Sequence, residues 1–138
     1  MASSSNVYAS IAGTVGRSAN DPGAVGVFRR EAGGAWEHVI SNTSSNVVFV
    51  HPTDPNLVFA GTHDGVYRST DHGKTFQRVN FPDKNMEIWS FLVDAGDPNL
   101  IYAGGSPIAV YRSEDSGETW KRLPDPNMPS RCVMAFNP

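Results

Sequence analysis

The chain has 138 residues, 39% of them hydrophobic, with a net charge of −3 and a single cysteine, Cys132. That is one domain with enough apolar residues for a core, and no Lys/Arg run marks it as a nucleic-acid or polybasic membrane-surface binder. No apolar run approaches the roughly 20 residues of a spanning helix, no signal peptide is visible at the start, and one cysteine forms no internal disulfide and leaves the compartment undetermined.

Thirteen glycines and ten prolines suit a protein of short strands and tight turns. In chain order, residues 7–11 (Val-Tyr-Ala-Ser-Ile) and 27–30 (Val-Phe-Arg-Arg) read as strands rich in β-formers. Residues 46–50 (Asn-Val-Val-Phe-Val) form a continuous apolar run, as in a strand buried on both faces. A Pro-Thr-Asp-Pro-Asn turn leads to a second strand at 57–60. A short His63-Asp64-Gly65 loop leads to Val66-Tyr67-Arg68-Ser69, and Phe76 opens a fourth strand at 76–79. The same order returns at 88–93, 100–103, 109–113 and 120–123, and residues 131–137 repeat the opening run of 46–50. No helix of useful length is expected.

The repetition is literal in two boxes of pattern S-x-D-x-G-x-T-aromatic. Ser69, Asp71, Gly73, Thr75 and Phe76 recur as Ser113, Asp115, Gly117, Thr119 and Trp120, 44 residues later. Upstream, Asp54-Pro55-Asn56 recurs as Asp97-Pro98-Asn99, at an offset of 43. In the first unit, residues 31–36 stand where the box belongs, one residue short and without its Ser and Asp. In such a turn the carboxylate can accept backbone N–H bonds, the glycine supplies a positive φ, and the aromatic anchors the next strand. The box residues are therefore read as structural, and Asp71 and Asp115 are not a catalytic pair.

Labelling the strands of each unit A to D, the chain reads BCD, ABCD, ABCD, A, which makes twelve strands in units near 6–40, 46–80 and 87–123 plus the strand at 131–137. Four-stranded antiparallel units recurring at about 40 residues predict an all-β fold of β-propeller blades within a single domain spanning 1–138. A chain that starts at B and ends with A can close a ring by donating its last strand to its first blade, which removes exposed edges. Three blades are too few for a ring, since propellers use roughly four to eight. The chain is thus either half of a six-bladed homodimeric ring or the front of a longer propeller, and the latter is favoured here.

The boxes resemble the Asp-box, or BNR, repeat, over nearly the full chain. Proteins with that repeat include sialidases, xyloglucan-hydrolysing propellers, the sortilin ectodomain and photosystem II assembly factors. The resemblance implies that strand A is innermost and that ligands meet the face carrying the D-to-A and B-to-C connections, with boxes and Asp-Pro-Asn turns on the opposite face. It directs attention to Arg17, Asn20 and Asp21, to His63 and Asp64, to Ser106, to Asn80, Asp83, Lys84 and Glu87, and to Asn127 and Arg131. His63, Asp64, Glu87, Trp89 and Arg131 are the ligand-binding candidates. Each also has a plainer reading: Asp64 bonding its own loop, Glu87 and Arg131 solvated at the channel mouth, Trp89 an inter-blade core aromatic rather than a stacking platform. Arg68 and Arg112 are features of the repeat. His38, His51 and His72 lie on different elements without metal-ligand spacing, so no metal or other cofactor is assigned. Cys132 reads as a small buried residue, and Asn42-Thr43-Ser44 fits a glycosylation sequon.

Two functions follow. The first is a non-catalytic binding or assembly module for a protein or glycan. The alternative is a glycoside hydrolase, or an N-terminal part of one. Glycosidases need two carboxylates about 5–10 Å apart, and Asp64 with Glu87 is the one pair worth testing, around a Thr62–Tyr67 segment similar to a xyloglucanase catalytic loop. The second acid of those enzymes belongs to a region this chain lacks, and no sialidase-type F/Y-R-I-P segment is present.

Overall fold

The computed structural model describes residues 5–13 and 25–124. The described residues form eleven strands: β1 (Asn6–Ile11), β2 (Gly26–Glu31), β3 (Glu37–Ile40), β4 (Ser45–Val50), β5 (Val58–Thr62), β6 (Gly65–Ser69), β7 (Gln77–Arg78), β8 (Glu87–Asp94), β9 (Asp97–Ser106), β10 (Ala109–Ser113) and β11 (Lys121–Arg122). They form three antiparallel sheets, β1-β2-β3, β4-β5-β6-β7 and β8-β9-β10-β11. These are three consecutive β-propeller blades, the first with three strands among the described residues, and those residues contain no helix. The closing strand expected at 131–137 lies outside the described residues, as do Arg17, Asn20, Asp21, Asn127, Arg131 and Cys132.

The inner strands β1, β4 and β8 run side by side, and the sheets pack face to face between them. Between blades 2 and 3 the core holds Phe59, Val66, Phe91, Ile101, Tyr111 and Trp120, with Phe81 and Met86 from the connection between the blades. The Phe59 and Phe91 rings lie 5.6 Å apart, and Trp120 meets Phe59 edge-on at 6.4 Å. Such offset and edge-on pairs are the favoured aromatic geometries. A smaller cluster of Val27, Ile40, Ala60 and Tyr67 joins blades 1 and 2.

Each box closes on itself. Ser69 Oγ donates to Asp71 Oδ1 (2.7 Å) and accepts from Gly73 N (2.9 Å), while Asp71 accepts from Thr75 N (3.0 Å) and Thr75 Oγ1 (2.6 Å). Ser113, Asp115, Gly117 and Thr119 repeat the set bond for bond. Two successive left-handed residues make the turn, His72 and Gly73 in one copy and Ser116 and Gly117 in the other. The glycine has a second reason. A Cβ on Gly73 would strike the Tyr8 ring of the preceding blade, and one on Gly117 the Phe59 ring. Box and Asp-Pro-Asn segment share one rim, because Asn56 O accepts from His72 N (3.1 Å) and Asn99 O from Ser116 N (3.0 Å).

Three details depart from the sequence expectation. The outer strands β7 and β11 span two residues each, because Phe76 and Trp120 turn into the packing between blades. In the third blade Asp97-Pro98-Asn99 begins β9 instead of forming a separate turn. There Asp94 Oδ1 caps a tighter connection by accepting from Gly96 N (2.7 Å) and Asp97 N (3.1 Å). In blade 2 the equivalent His51 accepts at Nδ1 from Thr53 N and Asp54 N, over a longer loop. Trp89 is not in the core: it is 44% exposed. The ladder shifts register between Ile88↔Gly105 and Ser90↔Gly104, so Trp89 is the extra residue of a β-bulge and leaves the alternation that would have buried it.

Burial pushes the Asp71 carboxyl up, but hydrogen bonds from Thr75, Ser69 and the backbone outweigh it and hold the group at about 2; Asp115 is lowered by the same kinds of bond against the same burial. Stability tied to these depressed carboxylates is present above the unfolded value of about 3.9 and is lost as pH falls from there toward 2. Acid titration of the protein should therefore show a stability loss between about pH 4 and 2 that flattens in the Asp71→Asn, Asp115→Asn double variant. Gly117→Ala combines a left-handed backbone with the Phe59 collision, and denaturant unfolding should record a loss of about 2–4 kcal/mol.

Candidate functional site

The inner ends of blades 2 and 3 meet where the β5–β6 hairpin faces the start of β8. Thr62 pairs with Gly65 across a two-residue turn, His63-Asp64, in which Thr62 Oγ1 donates to Gly65 O (3.0 Å) and accepts from Asp64 N (2.9 Å). This lifts His63 and Asp64 to the rim. His63 N donates to Ser44 O (3.0 Å), which ties the hairpin to the connection entering β4.

Two polar groupings follow. His63 Nδ1 lies 3.5 Å from Glu87 Oε1, and His63 Nε2 lies 3.2 Å from Asn46 Oδ1. Asn46 Nδ2 in turn donates to Ile88 O at 3.3 Å. Asp64 belongs to the other grouping: Arg78 Nε sits 3.0 Å from its Oδ2, and Tyr67 Oη donates to the same oxygen at 3.4 Å. The structure thus brings His63 and Glu87 together and gives Asp64 and Glu87 different partners. Trp89 follows two residues after Glu87 on β8, exposed by its bulge. Arg131 lies outside the described residues.

Asn46 joins the His63 grouping, and sequence reasoning did not single it out. It occupies a bulge of its own, between Ser45↔Thr62 and Val47↔Gly61, 43 residues before Trp89. The two bulges thus fall at one repeat position on successive inner strands and take both residues out of the ladder's alternation. The available signal was that 43-residue offset, which matches Asn46 to Trp89 without saying that either is bulged. Arg78 was also missed, because its partner Asp64 is 14 residues away on another element.

One connection further, Asp83 receives Tyr111 Oη (2.6 Å) and Arg122 Nη1 (3.0 Å). The Tyr111 hydrogen bond, aided by Arg122, holds its carboxyl below the usual range despite an opposing contribution from burial. Asn80, Lys84 and Ser106 make no part of these groupings. Among the described residues no cluster of three His, Cys, Asp or Glu side chains could hold a metal, and no helix is long and apolar enough to cross a membrane.

Residues 64–138 match the Sortilin-Vps10 family, described as sortilin, neurotensin receptor 3. The chain belongs to this family. Its blades, boxes and strand order make it an Asp-box β-propeller protein. Two solved structures share the fold. An ancestral GH74 enzyme superposes on 83% of the chain at 22% identity with a TM-score of 0.59, and YCF48 from Cyanidioschyzon merolae on 71% at 17% identity with a TM-score of 0.55. The chain spans 18% and 34% of the lengths of those two proteins. No curated protein gives a significant match. At these identities the likeness is one of fold.

Because Asp64 and Arg78 are both about half exposed, their ion pair is worth at most about 1 kcal/mol. Asp64→Asn should leave the urea unfolding midpoint within that margin. The variant can then report on the site without confusion from unfolding.

Proposed function

We propose that the chain acts as a non-catalytic binding surface, with a protein or glycan partner seated at the channel mouth on Trp89, Asn46, His63 and Glu87. The observation that carries this reading is the pairing of the carboxylates. Asp64 is bridged to Arg78 and Glu87 lies against His63, with Asp64 exposed and Glu87 partly exposed. A glycosidase acid instead needs a carboxyl kept protonated by an apolar pocket, facing a second carboxylate. An exposed indole is suited to stacking, and Trp is among the residues enriched at binding hot spots. The GH74 neighbour is an enzyme, but the part of it that this chain matches is 18% of its length.

A glycan array and a partner pull-down supply the ligand, followed by titration against intrinsic tryptophan fluorescence. Saturable binding that weakens at least about tenfold in Trp89→Ala, with no product from aryl-glycosides or oligosaccharides, is the expected result. Hydrolysis that disappears in Asp64→Asn or Glu87→Gln would replace this reading with the glycosidase one.

A further inference from the structure

Strands β2, β6 and β10 each carry an arginine at one repeat position: Arg29, Arg68 and Arg112. Each stands opposite an aromatic on the preceding strand, Tyr8, Phe59 and Tyr102 respectively. What surrounds the guanidinium differs between blades, and two positions decide it. One is the residue two further along the chain, and the other is the partner on the outer strand.

For Arg29 both are acids. Glu31 Oε1 lies 2.7 Å from its Nη2, and Glu37, opposite it in the ladder, lies 3.6 Å from its Nη1. The hydrogen bond from Arg29 holds the Glu31 carboxyl below its usual range. For Arg112 the first position is Glu114, at 2.9 Å, and the second is Lys121. For Arg68 the two are Thr70 and Gln77, both uncharged and both exposed. Among the described residues Arg68 forms no ion pair, and its guanidinium is hydrogen-bonded through Nε alone, to Ser116 O at 3.0 Å.

The place of the missing acids is open. A cleft of about 290 Å³ is lined by Arg68, Thr70 and Gln77, with Arg78 and Glu118 as its other charged residues. Arg78 is bridged to Asp64, which leaves Arg68 as the cation able to take a new partner. Arg68 and Thr70 also border a hollow of about 480 Å³ whose walls carry Asp54, Glu114, Asp115 and Glu118. A dianion or a run of acids is repelled by those walls, and a single carboxylate between uncharged neighbours is repelled least. All of these walls belong to blades 2 and 3, between residues 54 and 118.

We infer that this cleft is a docking subsite for a partner polypeptide, in which one isolated Asp or Glu side chain takes the place that Glu31 and Glu37 fill in blade 1. The incoming oxygens accept from the Arg68 Nη groups, in the fork that a guanidinium presents to a carboxylate. The Thr70 hydroxyl and the Gln77 amide supply further donors. Arg68 keeps its bond to Ser116 O throughout, because Nε and the Nη groups are separate donors. An exposed guanidinium–carboxylate pair is worth little alone, so the contact serves as part of a larger protein surface rather than as a receptor for a small acid. It shares no residue with the Trp89, Asn46, His63 and Glu87 grouping and does not rest on what binds there.

NMR titration of the isotope-labelled full chain at low salt tests it, with a capped tripeptide carrying a central glutamate as the ligand. The Arg68 Nε–H and Gln77 side-chain amide signals should shift together and saturably, and the same peptide with a central glutamine should leave them in place. Thr70→Glu and, separately, Gln77→Glu supply within the chain the carboxylate that blade 1 already has. Each should weaken the glutamate peptide about tenfold or more while the thermal midpoint holds or rises. Both positions are exposed and lie outside the box-and-arginine contacts, so the variants should fold. No saturable shift, an equal shift with the glutamine peptide, full-strength binding in both folded variants, or equally tight binding of inorganic phosphate would each overturn the proposal.

Discussion

The structure hangs on a backbone carbonyl. In each full box the peptide oxygen just before the glycine points at the preceding blade and is held there by an arginine Nε, Arg29 for His72 O and Arg68 for Ser116 O. Charge-assisted bonds of this kind are about twice as strong as neutral ones. The carbonyl can point that way because two left-handed residues turn it outward, and that turn is affordable because Ser and Asp side chains satisfy its N–H groups internally. Carboxylate, turn, arginine and covering aromatic form one chain of dependence.

That dependence also explains why the most prominent motif is chemically silent. Each box carboxylate accepts bonds from Ser, Thr and backbone in its own turn, so it has little capacity left for a ligand. At the opposite rim, bulges at Asn46 and Trp89 interrupt the alternation of the inner strands. There Asp64 is paired with Arg78, Glu87 lies against His63, and the exposed Trp89 follows two residues after Glu87 on β8.

The boxes, the strand order and the blade count were legible in the sequence because each is a local rule: turn chemistry at fixed spacing, β-formers between turns, and repetition. Where the sequence misled, the cause was non-local or a matter of one residue. Trp89 sits in an apolar run and reads as core, until a one-residue register slip sends it outward. The Asp-Pro-Asn of blade 3 reads as a turn, yet Asp94 in place of a histidine shortens the connection and lets β9 begin at Asp97. Arg68 and Arg112 were visible as repeated residues. Their role was not, since the acceptor of Arg68 lies 48 residues on, in the next unit.

Native-state hydrogen exchange on the Gly73 and Gly117 amides tests the box-and-arginine lock most directly. These amides donate to Ser69 and Ser113 Oγ inside the turns that the preceding blades hold. If the lock organises the fold, both should exchange only through global opening, with the same free energy and denaturant dependence as the β5 and β9 core amides. Exchange of the box amides through small local openings, while those core strands stay protected, would contradict the account.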